Sequence, residues 1–399
     1  MNLFKKFYCR TYQTIFRTIL PLLPYREPIL LKSNQEIVNI LQQHEKNSVL
    51  LVTDRSIRNL QLTQSLENAI LNQKLKLTIY DETVPNPTTD NVATAVQLYQ
   101  DNECDCIIAF GGGSVMDCAK ATGARIARPK KSLTKMKGIL KVGKKIPLLI
   151  AIPTTAGTGS ETTLAAVITD SKTRHKYAIN DFPLIPSYAA LLPQLTIGLP
   201  QHITATTGMD ALTHAIEGLI TKGAWELSDM FEIKAIEMIA EYLPIAVEEP
   251  TNAKAREAMA LGQYVAGMAF SNVGLGAVHG MAHPMGAIFD IPHGVANAVL
   301  LPTVMEYNKS AAKEKYVEIA KAMKVYKDTM SIDEAADAAV EAVKALSIKV
   351  GIPQTLTELG ITEKDIDILA ASAIADVCTP GNPRDIDEAT IKELYKKIL

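Results

Sequence analysis

Residues 105–120 read DCIIAFGGGSVMDCAK, and this stretch decides the fold of the first half of the chain. An apolar run that is typical of a buried strand leads into three glycines and then into a helix. Glycines let backbone N–H groups approach an anion closely, and the start of a helix adds partial positive charge. A turn between a strand and a helix often needs glycine anyway, and Asp117 also fits as an acidic residue of a first helical turn. The stretch therefore predicts a strand–turn–helix unit and, beside that purely structural interpretation, a phosphate-binding turn.

Three further apolar runs resemble the first, and the four candidate strands cover residues 48–54, 75–80, 105–110 and 146–152. They are joined by segments long enough for crossover helices, which favours a parallel sheet covered on both faces. A second polar loop, PTTAGTGSE at 153–161, follows the last of these strands. Open α/β sheets bind ligands at the carboxyl ends of their strands, so the two loops predict a nucleotide site within residues 29–197.

The sequence pattern changes after Gly198-Leu199-Pro200. Apolar residues then recur at helical spacing, and convincing strands disappear. The longest helical segments cover residues 226–243, 253–270, 311–325 and 332–350. We therefore predict two domains, an α/β dinucleotide-binding domain over residues 29–197 and an all-helical domain over residues 198–399.

Two short motifs of the helical half place metal-binding residue types at helical spacing. Asp210 and His214 are four residues apart, as are His279 and His283, and His293 follows shortly afterwards. Residues four apart share one face of a helix. A single pair of this kind is usually a surface hydrogen bond. Two pairs and a further histidine, set among small apolar residues, favour a divalent-metal site.

The composition excludes several classes of protein. The 399 residues include 41 basic and 43 acidic side chains, which argues against a nucleic-acid-binding protein with a basic surface. No run of about 18 uncharged apolar residues indicates a membrane-spanning helix. The five cysteines have no disulfide-framework spacing, which fits a reducing, cytoplasmic setting.

Residues 1–28 differ from both halves and form a predicted amphipathic arm. Aromatic and aliphatic residues recur there at three- and four-residue steps from Phe4 to Leu20, a stretch that has basic residues between them and no acidic residue. The pattern superficially resembles a transit peptide or a helix on a membrane surface. We favour docking on protein, across a subunit interface, so that the chain forms a homo-oligomer of two or more copies, and we expect no membrane association.

Eight motifs, taken in order, carry a resemblance to one family: Thr53-Asp54, Pro85-Asn86-Pro87, GGGSVMDCAK (111–120), PTTAGTGSE (153–161), GMDALTHAIEG (208–218), HGMAHPMGA (279–287), PHGVANA (292–298) and CTPGNPR (378–384). Together they resemble the iron-containing (group III) alcohol dehydrogenases, and most closely the lactaldehyde, propanediol and butanol dehydrogenases. The resemblance runs from about residue 28 to the C-terminus. It implies a Rossmann-like dinucleotide-binding domain followed by a helical metal-binding and catalytic domain.

The resemblance also implies roles for individual residues. The metal ligands would be Asp210, His214, His279 and His293. The catalytic residue would be His283, which would stand near the nicotinamide without binding metal and would either relay a proton or stack on the cofactor. The residues lining the dinucleotide would be Asp54, Asn86, Gly112, Gly113, Ser114, Asp117, Thr154, Thr155, Thr158 and Lys176. The alcohol pocket would be bordered by Phe270, Cys378 and Ala165.

These roles amount to a NAD(H)-linked alcohol dehydrogenase and aldehyde reductase for small primary alcohols or diols, with hydride transfer in a cleft between the domains. We expect Fe²⁺ rather than Zn²⁺ or another divalent ion, because four protein ligands nearly saturate a tetrahedral ion. We expect NAD over NADP, because the Asp54 carboxylate would repel a 2′-phosphate, although Arg55 or Arg58 nearby could screen it.

Two other functions are compatible with parts of the sequence, and the chain departs from the family pattern at three places, one of which borders the expected pocket. A lyase similar to 3-dehydroquinate synthase would need several basic residues around the site, and the region from HGMAHPMGA to PHGVANA (279–298) offers almost none. A non-catalytic assembly subunit would not need the intact ligand positions. Ala165-Ala166 replaces larger and partly polar residues, so we expect a roomier, less polar pocket that favours butanol over ethanol.

Overall fold

The fold is described from a computed structural model, which describes residues 26–173 and 175–399. The predicted arm, residues 1–28, therefore lies almost entirely outside the described residues. Two compact units divide the described chain at residues 196 and 197. The first combines strands with helices and the second is built from helices. Among the residues that the structure describes, no helix is both long and apolar enough to span a membrane.

In its described part, the first unit contains nine strands: β1 (Ile29–Leu31), β2 (Ser48–Val52), β3 (Lys76–Tyr80), β4 (Cys106–Gly111), β5 (Gly138–Ile139), β6 (Leu148–Pro153), β7 (Ala165–Thr169), β8 (Lys176–Asn180) and β9 (Tyr188–Ala190). Six of them form a parallel sheet in the order β1-β9-β6-β4-β2-β3. The other three form a small sheet in which β8 lies between β5 and β7. All four predicted strands are confirmed, as β2, β3, β4 and β6.

Helices connect these strands and cover the sheet: α1 (Asn34–Gln43), α2 (Arg55–Asn59), α3 (Gln64–Asn72), α4 (Thr89–Asp101), α5 (Gly113–Ala127) and α6 (Leu133–Met136). Side chains alternate between the two faces of a strand, so neighbouring residues enter different cores. Leu50 packs with Ile107 in one core, whereas Leu51 packs with Ile108 in the other. Because both faces are buried, the central strands are continuously apolar, as the sequence pattern indicates.

The second unit consists of nine α-helices among the described residues: α7 (Gln201–Ile220), α8 (Glu226–Glu248), α9 (Ala253–Val273), α10 (Ala277–Phe289), α11 (His293–Asn308), α12 (Lys313–Ala322), α13 (Ile332–Lys349), α14 (Ile366–Ala375) and α15 (Glu388–Lys396). The long helix α7 packs against α8, α9 and α11 and is buried along most of its length. The four helices predicted from the sequence pattern are confirmed as α8, α9, α12 and α13. Helix α7 is therefore a rigid support for any functional group on its surface.

Candidate active site

The four residues with predicted metal-ligand roles come together in the second unit. Asp210 and His214 lie on α7, His279 lies on α10, and His293 is the first residue of α11. The candidate ligand atoms all lie within 4.8 Å of one another. The Nε2 atoms of His214 and His279 are 3.0 Å apart, and Oδ1 of Asp210 is 3.7 Å from Nε2 of His293. The four residues predicted as ligands therefore lie together, and their binding of a metal stays a prediction.

The chemistry of these donors fits a divalent cation. Burial, together with the neighbouring imidazoles of His214 and His293, holds the pKa of His279 well below its ordinary value. His279 is therefore neutral, which is the form of histidine that coordinates metal. Three imidazoles and one carboxylate form a donor set of the kind that divalent transition metals prefer.

Glu217 holds one of these histidines in place, and the sequence argument missed it. Its carboxylate accepts hydrogen bonds from Nδ1 of His279 at 2.7 Å and from the backbone N–H of Val278 at 2.7 Å. Burial raises the pKa of Glu217 to about 7, although the backbone donors lower it. Because Nδ1 donates to Glu217, Nε2 of His279 is the nitrogen left to face the cluster. The available signal was an acidic residue three positions after His214 on a buried helix.

Asn297 is a second supporting residue that the sequence argument missed. It lies on α11, four residues after His293, and is fully buried. Its amide nitrogen donates to Oδ1 of Asp210 at 2.6 Å and lies 3.1 Å from Nε2 of both His279 and His293. Asn297 therefore contacts residues from three different helices and fixes the distance between them.

His283 lies beside the cluster, as predicted, but with a partner that was not predicted. Its ring stacks on that of His293 with a centroid distance of 5.6 Å, while Nδ1 donates to Oδ2 of Asp376 at 2.8 Å. The other carboxylate oxygen of Asp376 accepts the backbone N–H of Cys378 at 2.8 Å. Burial raises the pKa of the Cys378 thiol well above its ordinary value, so this cysteine is a neutral thiol. The arrangement fixes the orientation of His283.

The residues predicted to border the alcohol pocket belong to both units of the chain. Phe270 stacks on His214 with a centroid distance of 4.3 Å, and Cys378 contacts Asp376, so both lie near the cluster. Ala165 is half-buried on β7 in the other unit. Ala166 is fully buried in a hydrophobic core, so its expected place on a pocket wall is wrong. The reason is the period of a strand, because adjacent residues face opposite sides.

The two polar loops of the first unit pack against each other at the carboxyl ends of β4 and β6. The N–H of Thr154 donates to the carbonyl of Gly111 at 3.2 Å. A Cβ atom on Gly113 would lie 2.9 Å from Thr158, and one on Gly112 would lie 3.5 Å from Thr155. Glycine at position 113 is therefore needed for the close approach of the loops. Gly112 and Ser114 remain half-buried at the start of α5, where a helix N-terminus favours an anion.

The side chain of Asp117 is held by hydrogen bonds within the protein. Its carboxylate accepts hydrogen bonds from the hydroxyl of Ser160 at 3.1 Å and from the N–H of Val167 at 3.0 Å. Lys120, one helical turn later, is fully buried and donates to Ser160 and Thr163, with a further bond to the carbonyl of Ala165 at 2.9 Å. Burial lowers the pKa of Lys120 to about 8. The pair binds α5 to the second loop, a structural role that the sequence argument did not assign to Lys120.

Of the remaining predicted cofactor residues, Asp54 and Asn86 follow β2 and β3 of the parallel sheet, whereas Lys176 begins β8 of the small sheet. Asp54 follows β2 and caps α2, accepting the N–H of Ile57 at 2.9 Å. Asn86 has a left-handed backbone conformation, with φ of 56°, and its side-chain oxygen accepts Nζ of Lys176 at 2.7 Å. Partial burial lowers the pKa of Lys176. Contact with a dinucleotide stays a prediction for all of these residues.

The two basic residues next to Asp54 are already paired. Arg55 bonds Glu82 at 2.7 Å, and Arg58 forms an ion pair with Glu67. Their charges are therefore largely compensated within the protein. Arg55 and Arg58 are therefore less able to screen the repulsion between the Asp54 carboxylate and a 2′-phosphate.

Comparisons with known proteins agree with this geometry. Residues 31–193 match the family model for iron-containing alcohol dehydrogenase, and residues 204–399 match the model for the C-terminal part of the Fe-containing alcohol dehydrogenase family. The chain is 47% identical over 347 residues to lactaldehyde reductase from Escherichia coli (strain K12), covering 87% of this chain and 90% of that enzyme. It is 38% identical over 365 residues to NAD-dependent methanol dehydrogenase from Bacillus methanolicus, covering 92% and 96%.

A solved structure supports the same assignment. The crystal structure of a 1,3-propanediol oxidoreductase superposes with a TM-score of 0.91 at 37% sequence identity, covering 94% of this chain and 99% of that one. The two family models together span nearly all of the described chain. This chain is therefore an oxidoreductase that belongs to the iron-containing alcohol dehydrogenase family.

Proposed function

We propose that the chain is a NAD(H)-linked, iron-dependent alcohol dehydrogenase and aldehyde reductase for small primary alcohols or diols. The observation that carries the proposal is the convergence of Asp210, His214, His279 and His293, with Glu217 behind them. These four residues would hold the ion and two glycine- and threonine-rich loops would hold the dinucleotide. The ion would supply Lewis acidity toward the alcohol or aldehyde oxygen, and NAD(H) would supply the hydride chemistry.

The protein's own residues have separate tasks in this proposal. Glu217 and Asn297 keep the ligand side chains in register before any ion binds. Phe270 covers one face of His214 and excludes water from it. The carboxylate of Asp376 accepts a hydrogen bond from the protonated Nδ1 of His283. Nε2 of the same ring is therefore able to accept a proton. We therefore favour a proton relay through His283 over ring stacking on the cofactor.

The assignments of the ion, the cofactor, the cellular compartment and the oligomer rest on the following observations. Four protein ligands fill a tetrahedral zinc shell, whereas Fe²⁺ with five or six ligands keeps positions open. The Asp54 carboxylate favours NAD, and a relative from Bacillus methanolicus is named NAD-dependent. The four described cysteines are free thiols, which supports a reducing cytoplasm. Exposed Leu227, Met230 and Phe231 on one face of α8 support association of two or more copies.

The experiment reconstitutes metal-free protein with Fe²⁺, Zn²⁺ or Mn²⁺ separately and measures NADH oxidation with a panel of aldehydes. His214→Ala should lose both stoichiometric metal and turnover while keeping its helical circular dichroism. His44→Ala is the matched control, because His44 is exposed and its side chain hydrogen-bonds only Tyr188 among the described residues. Should His214→Ala fail to fold, the more exposed ligand His293 is substituted instead. Wild-type metal content and rate in a folded ligand variant would refute the proposal.

A further inference from the structure

One segment of the first unit concentrates positive charge. Residues 125–145, called the basic loop below, contain nine lysines and arginines and no aspartate or glutamate, although the chain as a whole has a net charge of −2. Six of these side chains are exposed: Lys130, Lys135, Lys137, Lys141, Lys144 and Lys145. None of the six forms an ion pair with an acidic residue in the described part of the chain. Elsewhere exposed lysines do pair, as Lys324 does with Glu241.

The three remaining basic side chains hold the basic loop in shape. Arg125 donates to the carbonyl of Lys131 at 2.5 Å, Arg128 donates to that of Val142 at 2.6 Å, and Lys131 donates to that of Lys141 at 2.6 Å. These bonds join the start of the loop to its end. The six exposed lysines therefore project from a fixed framework instead of a flexible tail, so a partner need not order the backbone on binding.

Two aliphatic side chains are exposed in the middle of the basic loop. Ile139 is 45% exposed and Leu140 is 53% exposed. Leu140 also has a left-handed backbone conformation, with φ of 55°, that leucine rarely adopts. Its N–H is held by the carbonyl of Asn180 at 2.9 Å, which maintains that conformation. The structure thus keeps an apolar pair in solvent within a segment whose six exposed lysines have no acidic partner among the described residues, although Nζ of Lys137 lies 2.8 Å from Nε2 of His175.

We propose that the basic loop binds the surface of a membrane that contains anionic lipids. Lysine ammonium groups would contact the lipid phosphates, and Ile139 and Leu140 would enter the boundary between headgroups and acyl chains. Exposed lysines without acidic partners, in the same loop as exposed aliphatic residues, are complementary to such a surface in both charge and hydrophobicity. This contact is peripheral and needs no spanning helix, and it revises the expectation from the sequence that the chain does not associate with a membrane.

The composition of the basic loop favours lipid over nucleic acid. Proteins that bind single-stranded nucleic acid stack bases on aromatic side chains, and residues 125–145 contain no aromatic residue. Arginine is the side chain best suited to bidentate phosphate contacts, and both arginines of the loop already donate to backbone carbonyls. Aliphatic side chains gain nothing from a phosphate backbone in water, whereas they gain from entering a bilayer.

The test is co-sedimentation of the full-length, metal-reconstituted protein with vesicles of equal parts phosphatidylcholine and phosphatidylglycerol, and with phosphatidylcholine alone. The wild-type protein should bind the anionic vesicles only, and less strongly as salt is raised. The double substitution Lys144→Ser with Lys145→Ser should weaken the partition coefficient by about 30-fold, since each lysine near an anionic surface contributes roughly a factor of five. Ile139→Ser with Leu140→Ser should weaken it as well.

The matched control removes two adjacent exposed lysines elsewhere, by Lys396→Ser with Lys397→Ser, and should leave binding unchanged. Every variant retains the basic N-terminal arm, so a loss seen only in the loop variants is assigned to the loop. Binding that is equal in wild-type and loop variants overturns the proposal. So does an equal loss in the control, or binding of a single-stranded RNA without binding of vesicles.

Discussion

Replacing Glu217 by Gln should weaken metal binding without unfolding the protein. Glutamine keeps the size of the side chain but removes the charge that receives Nδ1 of His279 at 2.7 Å and the N–H of Val278 at 2.7 Å. A hydrogen bond to a charged group contributes about 1.5–3 kcal/mol. If most of that energy orients His279, metal affinity falls by roughly 10- to 100-fold, the range typical of residues that support a ligand.

The assay is competition between metal-free protein and a chromophoric chelator, which gives the Kd for the ion directly. Circular dichroism and Tm of the metal-free variant show whether the fold is kept. Turnover at saturating metal then separates weak binding of the ion from a misplaced ligand. A variant that regains wild-type turnover at high metal has lost affinity alone.

Glu232→Gln is the matched control. Glu232 is also a fully buried glutamate of this helical unit, but neither of its carboxylate oxygens has a hydrogen-bond partner in the described residues. Burial raises its pKa well above the ordinary value, so glutamine replaces a neutral carboxyl of the same shape. The Kd of this control should equal that of the wild type. An unchanged Kd in Glu217→Gln, or an equal change in both variants, would refute the positioning role of Glu217.

Three further predictions concern the cofactor, the substrate and pH. Asp54→Asn keeps the helix cap but removes the charge, so it should raise kcat/KM for NADPH relative to NADH; a wild-type enzyme that prefers NADPH would contradict this reasoning. The kcat/KM should rise from ethanol to butanol by about fourfold per methylene, from about 0.8 kcal/mol each, and a flat series with preference for 1,2-propanediol would argue against an apolar pocket. Burial lowers the pKa of Lys120 from 10.5 to about 8, so between those values the unfolded chain binds more protons and this group's contribution to the free energy of unfolding rises with pH. Denaturant titrations of the wild type and Lys120→Met across that window should show this rise in the wild type alone.

The elements of the fold that could be predicted are those that leave a recognisable pattern in a short stretch of sequence. Strands β2, β4 and β6 are apolar because both faces of the sheet are buried there, and DCIIAFGGGSVMDCAK places a turn between a strand and a helix within sixteen residues. Asp210 and His214 were found because four residues make about one helical turn. The short strands β1 and β9 escaped prediction, because three residues give too little pattern to recognise.

The residues that escaped prediction act through contacts between distant segments. Glu217 bonds a residue 62 positions later, and Asp376 bonds one 93 positions earlier. Neither distance leaves a periodic mark in the sequence. Ala166 was misplaced for a different reason, since its position relative to Ala165 depends on the strand β7, which was not predicted.

The pairing of β1 with β9 has a consequence for how the protein is made. Leu31 lies in register with Ala190. The edge strand β1 therefore has no partner until about 160 further residues have been synthesised. Until then β6 also lacks its outer neighbour, and its backbone edge is open to other chains. During synthesis the nascent chain therefore passes through a stage in which an apolar sheet is exposed on one side. Slow elongation through residues 154–188 would prolong that stage, and chaperone capture would have its greatest effect there.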